Sequence, residues 1–306
     1  MEYVIQTENL CRRFGNTVAV DNLSLNVPKS SVYGFLGPNG AGKTTTIRML
    51  LGLAKPTGGT ARVLGQPASS RKHLHRIGFL PDVPNFYTWM RGEEFLIFTG
   101  QLFDLPQKDL KKRADELLDL TGLKGVKTKI GGYSRGMKQR LGLAQALINE
   151  PELIFMDEPT SALDPIGRKD VLEAIKAISS RCTVFFSTHI LADVERVCDR
   201  VGILRRGQLV TETTMAELHK RFAQNALRLE VSGDEDQFIQ ALRAKGWIQA
   251  VEKKKGSIFL TVYDLPRAQQ ELPQILAENR LGLRKLEQVE MNLEDIFVRL
   301  VNGNEE

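Results

Sequence analysis

Gly37-Pro38-Asn39-Gly40-Ala41-Gly42-Lys43-Thr44 sets glycines, a lysine and a hydroxyl in the pattern G-x-x-x-x-G-K-[ST]. Glycines let successive backbone N–H groups converge on phosphate oxygens. A helix opening at this point adds the partial positive charge of its N-terminus. Lys43 can then reach the β- and γ-phosphates of a nucleotide, and the Thr44 hydroxyl can ligate Mg²⁺. Further along, the apolar run Leu153–Met156 ends in Asp157-Glu158-Pro159. Asp157 can hold Mg²⁺, directly or through water, and Glu158 is placed to polarise a water for attack on the γ-phosphate. Thirty residues later a second apolar run, Thr183–Ser187, leads to Thr188-His189. His189 should emerge on the same sheet edge as Asp157, which favours a γ-phosphate contact. A fourth segment, Tyr133-Ser134-Arg135-Gly136-Met137-Lys138-Gln139-Arg140, offers a hydroxyl, a glycine N–H and a helix N-terminus. Those are the parts of a second phosphate clamp, and a chain with two clamps suggests a site completed by another copy.

The elements that must position these groups follow from pattern. Ser31–Leu36 is a short apolar run ending in the Gly-rich loop, and Thr44–Leu53 follows as a helix. The runs at 153–156 and 183–187 suit buried parallel strands covered on both faces. Between them Pro165 marks a helix start, and Gly167–Ser179 suits a crossover helix, the doubly wound α/β pattern. Residues 1–30 and 57–66 carry period-two stretches and the Thr57-Gly58-Gly59 turn, which predict a small antiparallel sheet. Residues 88–150 read as helical, with Glu93–Phe103, Asp109–Leu120 and Ser134–Asn149, the last opening on a serine cap. The final 85 or so residues predict β-α-β-β-α-β, the ferredoxin-like order. Its parts are Leu227–Val231, Glu235–Lys245, Ile248–Glu252, Ile258–Val262, Leu265–Glu278 and Leu283–Glu290, followed by a helix over Leu293–Val301. The domain boundary is placed at 218–226, giving domains 1–220 and 221–306.

Composition narrows the classes. A chain of 306 residues with 42% hydrophobic and 26% charged residues is an ordinary globular protein. No window of about 18 consecutive apolar residues offers a membrane span. Residues 1–15 lack a basic start followed by an apolar stretch, so the chain is expected to stay in the cytosol. Cys11, Cys182 and Cys198 are too scattered for a disulfide framework or a zinc site. Residues 222–306 carry 11 Lys+Arg against 14 Asp+Glu, whereas residues 1–221 carry 31 against 23. That excess suits a polyanion such as a nucleotide phosphate, acidic lipid or nucleic acid, or simply a solvated surface. His73, His75 and His219 read as surface residues.

Taken together and in this order, the motifs of residues 1–220 resemble the ATP-binding subunit of an ABC transporter. The resemblance makes Gly37–Thr44 the Walker A loop and Leu153–Asp157 the Walker B strand. Ser134–Met137 becomes the family signature, Ser161–Asp164 the D-loop and His189 the switch histidine. It implies a P-loop NTPase core of ABC type with antiparallel β and helical subdomains, plus the C-terminal ferredoxin-like α+β domain. It also implies a head-to-tail homodimer sandwiching two ATPs. Gly37, Asn39, Gly40, Ala41, Gly42, Lys43 and Thr44 would hold the phosphates, Thr45 the α-phosphate, and Phe14 would stack on adenine. Ser134, Gly136 and Met137 would complete the site from the other copy. Thr44 and Asp157 would hold Mg²⁺, with Glu158, His189 and Lys43 as the catalytic set. The family usually places a Gln after the strand Ile77–Leu80; here Asp82 stands there and could serve the metal through water. Leu293-Glu-Asp-Ile-Phe297 resembles the C-terminal extension of the ABC-2 or antibiotic- and multidrug-export branch.

The resemblance implies an ATPase that powers a membrane exporter from the inner face of the cell membrane, with a membrane-spanning permease subunit as partner. The docking surface would be Val83–Phe98, where Phe86, Tyr87, Trp89 and Met90 look exposed. The competing function is a soluble ABC ATPase acting on ribosomes or nucleic acid. A single nucleotide domain with no long basic insert speaks against it, so no nucleic acid is expected. A non-catalytic nucleotide-binding regulator is a third class, disfavoured by intact Lys43, Asp157, Glu158 and His189.

Overall fold

A computed structural model describes residues 2–161, 163–223, 226–254 and 256–288, together with Leu293 and Phe297. The chain forms two compact units, Met1–Met215 and Ala216–Glu306. The first opens with β1 (Tyr3–Phe14) and β2 (Thr17–Pro28), then β3 (Val32–Leu36) and α1 (Lys43–Leu50). β4 (Gly58–Val63), β5 (Gln66–Pro67) and β6 (Ile77–Leu80) follow. Three helices come next, α2 (Gly92–Gln101), α3 (Gln107–Leu120) and α4 (Arg135–Ala146). β7 (Leu153–Asp157), α5 (Pro165–Ile178), β8 (Thr183–Thr188) and α6 (Leu191–Val197) lead to the hairpin β9 (Arg200–Arg205) and β10 (Gln208–Thr214). α7 (Met215–Ala223) carries the chain into the second unit.

The central sheet has the order β10-β9-β3-β8-β7-β6, parallel from β9 to β6. Every residue of β3, β7 and β8 is buried, because a parallel sheet is covered on both faces. Alternation divides their side chains between two cores. Tyr33, Phe35, Phe155 and Phe185 pack with α1 and the antiparallel sheet β2-β1-β4-β5. Ile154, Met156, Val184 and Phe186 pack with the helices on the opposite face. Tyr33 stacks on Phe185 at 5.3 Å between ring centroids, and Phe155 meets Phe185 edge-on at 5.5 Å. Each such fully buried side chain contributes about 2 kcal/mol of transfer free energy. The result is a rigid sheet whose carboxyl edge displays the loops after β3, β7 and β8, where open α/β sheets bind ligands.

The predicted α/β core, antiparallel sheet and helical stretch all form, with several helix ends drawn in. The β9–β10 hairpin was not anticipated. Arg206 (φ 49°) and Gly207 (φ 83°) form its two-residue turn, a left-handed pair for which Asn-Gly is the usual signal.

Two expectations are corrected. Tyr87 and Trp89 are exposed, but Phe86 and Met90 pack against the helical core, Phe86 edge-on to Phe95 at 5.1 Å. His75 is exposed as expected, whereas His73 is buried, 1% exposed, and neither ring nitrogen has a hydrogen-bond partner. Its loop turns inward through a single 3₁₀ turn at Leu74–Arg76. The side chain of His219 lies outside the described residues.

Burial, then Arg76 and His75, hold the His73 pKa below 6.5. The folded state therefore resists a proton that the unfolded chain accepts. Stability from this group is complete above about pH 6.5 and is lost as pH falls toward the lowered folded-state value. His73→Leu is expected to flatten the fall in melting temperature between about pH 7.5 and about pH 5.5. A wild-type slope in the variant would contradict this.

The second unit contains β11 (Ala226–Ser232), α8 (Glu235–Arg243), β12 (Ile248–Lys254), β13 (Ser257–Val262), α9 (Leu265–Glu278) and β14 (Gly282–Gln288). Its antiparallel sheet has the order β12-β13-β11-β14, the ferredoxin-like arrangement. Leu227, Leu229, Leu260, Phe238, Leu242 and Leu272 form the core under α8 and α9. The other face carries ion pairs, with Arg228 on Glu230 at 2.7 Å and on Glu287 at 3.3 Å. The predicted helix over 293–301 lies outside the described residues apart from Leu293 and Phe297.

Candidate active site

The loop after β3 is shaped by close approach. Gly42 has φ 106°, and a Cβ there would lie 2.3 Å from the Ala19 carbonyl oxygen. A Cβ on Gly37 would lie 2.5 Å from the Leu204 carbonyl oxygen. Neither position accepts a side chain, so the loop is clamped between β2 and β9. Gly37 N–H donates to the Thr188 carbonyl at 3.2 Å, tying this loop to the segment that carries His189.

The Lys43 ammonium, 6% exposed, donates to the carbonyls of Gly37 at 2.7 Å and Pro38 at 3.2 Å. It also pairs with Glu158 Oε1 at 3.1 Å. Glu158 Oε2 lies 2.9 Å from His189 Nδ1. One carboxylate thus joins the lysine of the Gly-rich loop to the histidine after β8. With Glu158 ionised, Nδ1 carries the proton between them and Nε2 is left for a second partner.

Glu158 stands at φ 50°, a left-handed conformation that costs a non-glycine residue about 1–2 kcal/mol. Its N–H is held by Ser187 on both the carbonyl oxygen, at 3.1 Å, and Oγ, at 3.2 Å. Strain kept in place by such bonds is a mark of functional positions. Asp157 Oδ1 accepts from Ser187 Oγ at 2.6 Å and from Thr44 Oγ1 at 3.1 Å. Thr44 and Asp157 therefore offer two hard oxygens side by side. Among the described residues no group of three His, Cys, Asp or Glu forms a metal cage. A pair of hard oxygens fits Mg²⁺, which takes one or two protein oxygens and leaves its other positions to phosphate and water.

Phe14 and Thr45 meet in one depression of about 470 Å³, with Arg12, Arg48 and Lys55 on its wall. The Phe14 ring is half exposed, with the Arg12 guanidinium 4.4 Å from its centroid. Asp82, two residues past β6, accepts from Ser161 Oγ at 3.2 Å. Ser134 caps α4 by accepting from Met137 N–H at 3.2 Å. Gly136 faces Leu163: a Cβ there would meet Leu163 Cδ2 at 3.5 Å. Among the described residues no hydrogen bond joins Ser134, Gly136 or Met137 to residues 37–45. Two groups thus emerge, one around Lys43 and Glu158, the other at the α4 N-terminus.

Comparison with known proteins places this geometry. Residues 20–161 match the family model described as ABC transporter, and residues 214–301 match the C-terminal domain of DrrA1-3-like ATP-binding proteins. The bacitracin transport ATP-binding protein BcrA of Bacillus licheniformis is 38% identical over 308 residues, covering 99% of each chain. This chain belongs to the ABC transporter ATP-binding protein family. The Nod factor export ATP-binding protein I of Rhizobium sp. (strain N33) is 35% identical over 94% of each chain. A solved ATP-binding subunit of an ABC transporter superposes with a TM-score of 0.65 at 26% identity, covering 72% of this chain and 93% of that one. The fold is that of ABC ATPase domains, and the ABC ATP-binding protein is a nucleotide-binding protein of the antibiotic and export ATPase group.

Sequence reasoning passed over Ser187 as a site residue. In this ABC ATP-binding protein it touches both Asp157 and Glu158, so it sets the carboxylate pair. The signal was a hydroxyl, followed by that of Thr188, at the end of a run of apolar strand residues. Asp193 and Thr160 were passed over as well. Both are buried polar residues bonded to each other beside the same loops.

Proposed function

We propose that this ABC ATP-binding protein hydrolyses MgATP to drive an exporter, and that two copies close head to tail around two nucleotides. The chain of contacts Lys43–Glu158–His189 beside Thr44–Asp157 carries this reading. The Gly-rich loop and Lys43 hold the β- and γ-phosphates, and Thr45 and Phe14 hold the α-phosphate and adenine. Glu158 takes a proton from the attacking water as its oxygen bonds to the γ-phosphorus and the bond to the β–γ bridging oxygen breaks. His189 orients Glu158 through Nδ1 and reaches the γ-phosphate through Nε2. Mg²⁺ on Thr44 and Asp157 would neutralise charge developing on the phosphate oxygens. Asp82 would reach that metal through water. Ser134, Gly136 and Met137 complete the site of the opposite copy, which agrees with their separation from residues 37–45.

Among the described residues no helix is long and apolar enough to cross a membrane. The partner in this reading is a membrane-spanning permease, with the chain on its cytoplasmic side. We place the docking surface at residues 83–98. There Phe86, Tyr87, Phe98, Leu102 and Gln145 line a depression of about 390 Å³, and Trp89 stands exposed nearby. Pull-down of tagged Glu158→Gln protein from solubilised membranes with ATP is expected to retain a stoichiometric polytopic membrane protein. Retention of ribosomal proteins or nucleic acid instead would move the chain to the soluble class. The C-terminal unit, taken as the second domain, braces or regulates the pair.

A further inference from the structure

Asp193 lies on α6, four residues beyond His189, and its side chain is wholly buried. A carboxylate leaves water at high cost unless both oxygens are satisfied. Here each oxygen is taken by a different segment. Oδ2 accepts from Thr160 Oγ1, and Thr160 follows Glu158 by two residues and is itself buried. Oδ1 accepts from Arg168 Nε at 2.6 Å, and Arg168 lies in the first turn of α5, just past Asp164. The Asp193 N–H donates to the Ile190 carbonyl at 3.2 Å, which closes the turn immediately after His189.

The loop of the general base, the first turn of α5 that follows it and the segment of the switch histidine therefore converge on one carboxylate. The direct contact they must maintain is the 2.9 Å approach of His189 Nδ1 to Glu158 Oε2. Glu158 occupies a strained conformation, so its loop needs an anchor beyond Ser187. Bonds to an ionised group are shorter and about twice as strong as neutral ones. A buried carboxylate is well suited to hold such a register.

We propose that Asp193 is a positioning residue for hydrolysis, locking the His189 segment to the Glu158 loop through Thr160 and Arg168. This rests on the ATPase reading above. Asp193 does not touch the phosphate-binding loop, so its loss should leave nucleotide binding almost intact and act on turnover.

The test is steady-state ATP hydrolysis by the full chain, with wild type compared with Asp193→Asn, Thr160→Val and the double variant. Misplacing reacting groups by about 1 Å costs about a hundredfold. Asp193→Asn is expected to lower kcat about ten- to a hundredfold with KM for ATP changed less than about threefold. Thr160→Val, the milder change, should lower kcat less. The double variant should fall no further than Asp193→Asn, because both remove one linkage. With four histidines in the chain, the His189 imidazole resonances can be followed by NMR and should shift in both single variants.

Wild-type kcat in Asp193→Asn would overturn the proposal. So would a KM that rises in step with the fall in kcat, or independent, additive losses in the double variant. If the wild-type chain itself hydrolyses no ATP, the ATPase reading fails instead. The His189 resonance then still decides the clamp, and an unmoved signal in Asp193→Asn would overturn it.

Discussion

Glu158→Gln is expected to lower kcat for ATP hydrolysis by about two to three orders of magnitude while ATP affinity stays within a few-fold. Gln has nearly the same shape, and its amide oxygen can still accept from His189 Nδ1. It cannot take the proton of the attacking water. The change also frees Lys43, which spends one ammonium contact on Glu158 at 3.1 Å, for the phosphates. Ground-state binding should therefore be kept or slightly strengthened while the barrier rises by about 3–4 kcal/mol. Single-turnover phosphate release and a fluorescent nucleotide titration separate the two effects. Undiminished hydrolysis would remove Glu158 from its role.

Lys43→Ala carries the second large effect, and it should appear in binding and in stability at once. Losing a charge-assisted contact to phosphate costs about 2–3 kcal/mol, a loss of roughly 30- to 150-fold in affinity. The same change leaves Glu158, 12% exposed, without its cationic partner. Breaking one side of a buried pair is destabilising because the remaining charge is uncompensated. The melting temperature should fall, and adding Glu158→Gln to Lys43→Ala should restore part of it. Calorimetry on the four members of this cycle reads the coupling directly. Simple additivity would mean that the pair contributes nothing to the fold.

Much of the candidate site's geometry was legible because its physics is local. Gly37–Thr44 needs glycines where a Cβ would strike Ala19 or Leu204, and that need is written in consecutive residues. Apolar runs mark β7 and β8 because both faces of a parallel sheet are covered, so Asp157, Glu158 and His189 could be placed on one edge. The start of α4 was legible in the same way, since Ser134 announces a helix cap.

What escaped depends on contacts between distant segments. Ser187 looks like any strand-end serine until it bonds the Asp157 carboxylate and the Glu158 backbone N–H, and Asp193 looks like a solvated helix residue until Thr160 and Arg168 surround it. His73 sits in a stretch with Arg71, Lys72, His75 and Arg76, and nothing in that polar pattern tells which side chain turns inward. Phe86 and Tyr87 are adjacent aromatics, yet only Phe86 joins the helical core. Arg206 lacks the usual turn chemistry, so the β9–β10 hairpin was hidden.

The central claim is that ATP brings two copies together, each lending Ser134 and Gly136 to the other's phosphates. The most direct measurement is the solution mass of Glu158→Gln with and without saturating MgATP. A rise from 34.3 kDa to twice that value, abolished when Ser134→Ala and Gly136→Asp are added, is the expected result. A mass that stays at 34.3 kDa with nucleotide bound would contradict the shared site.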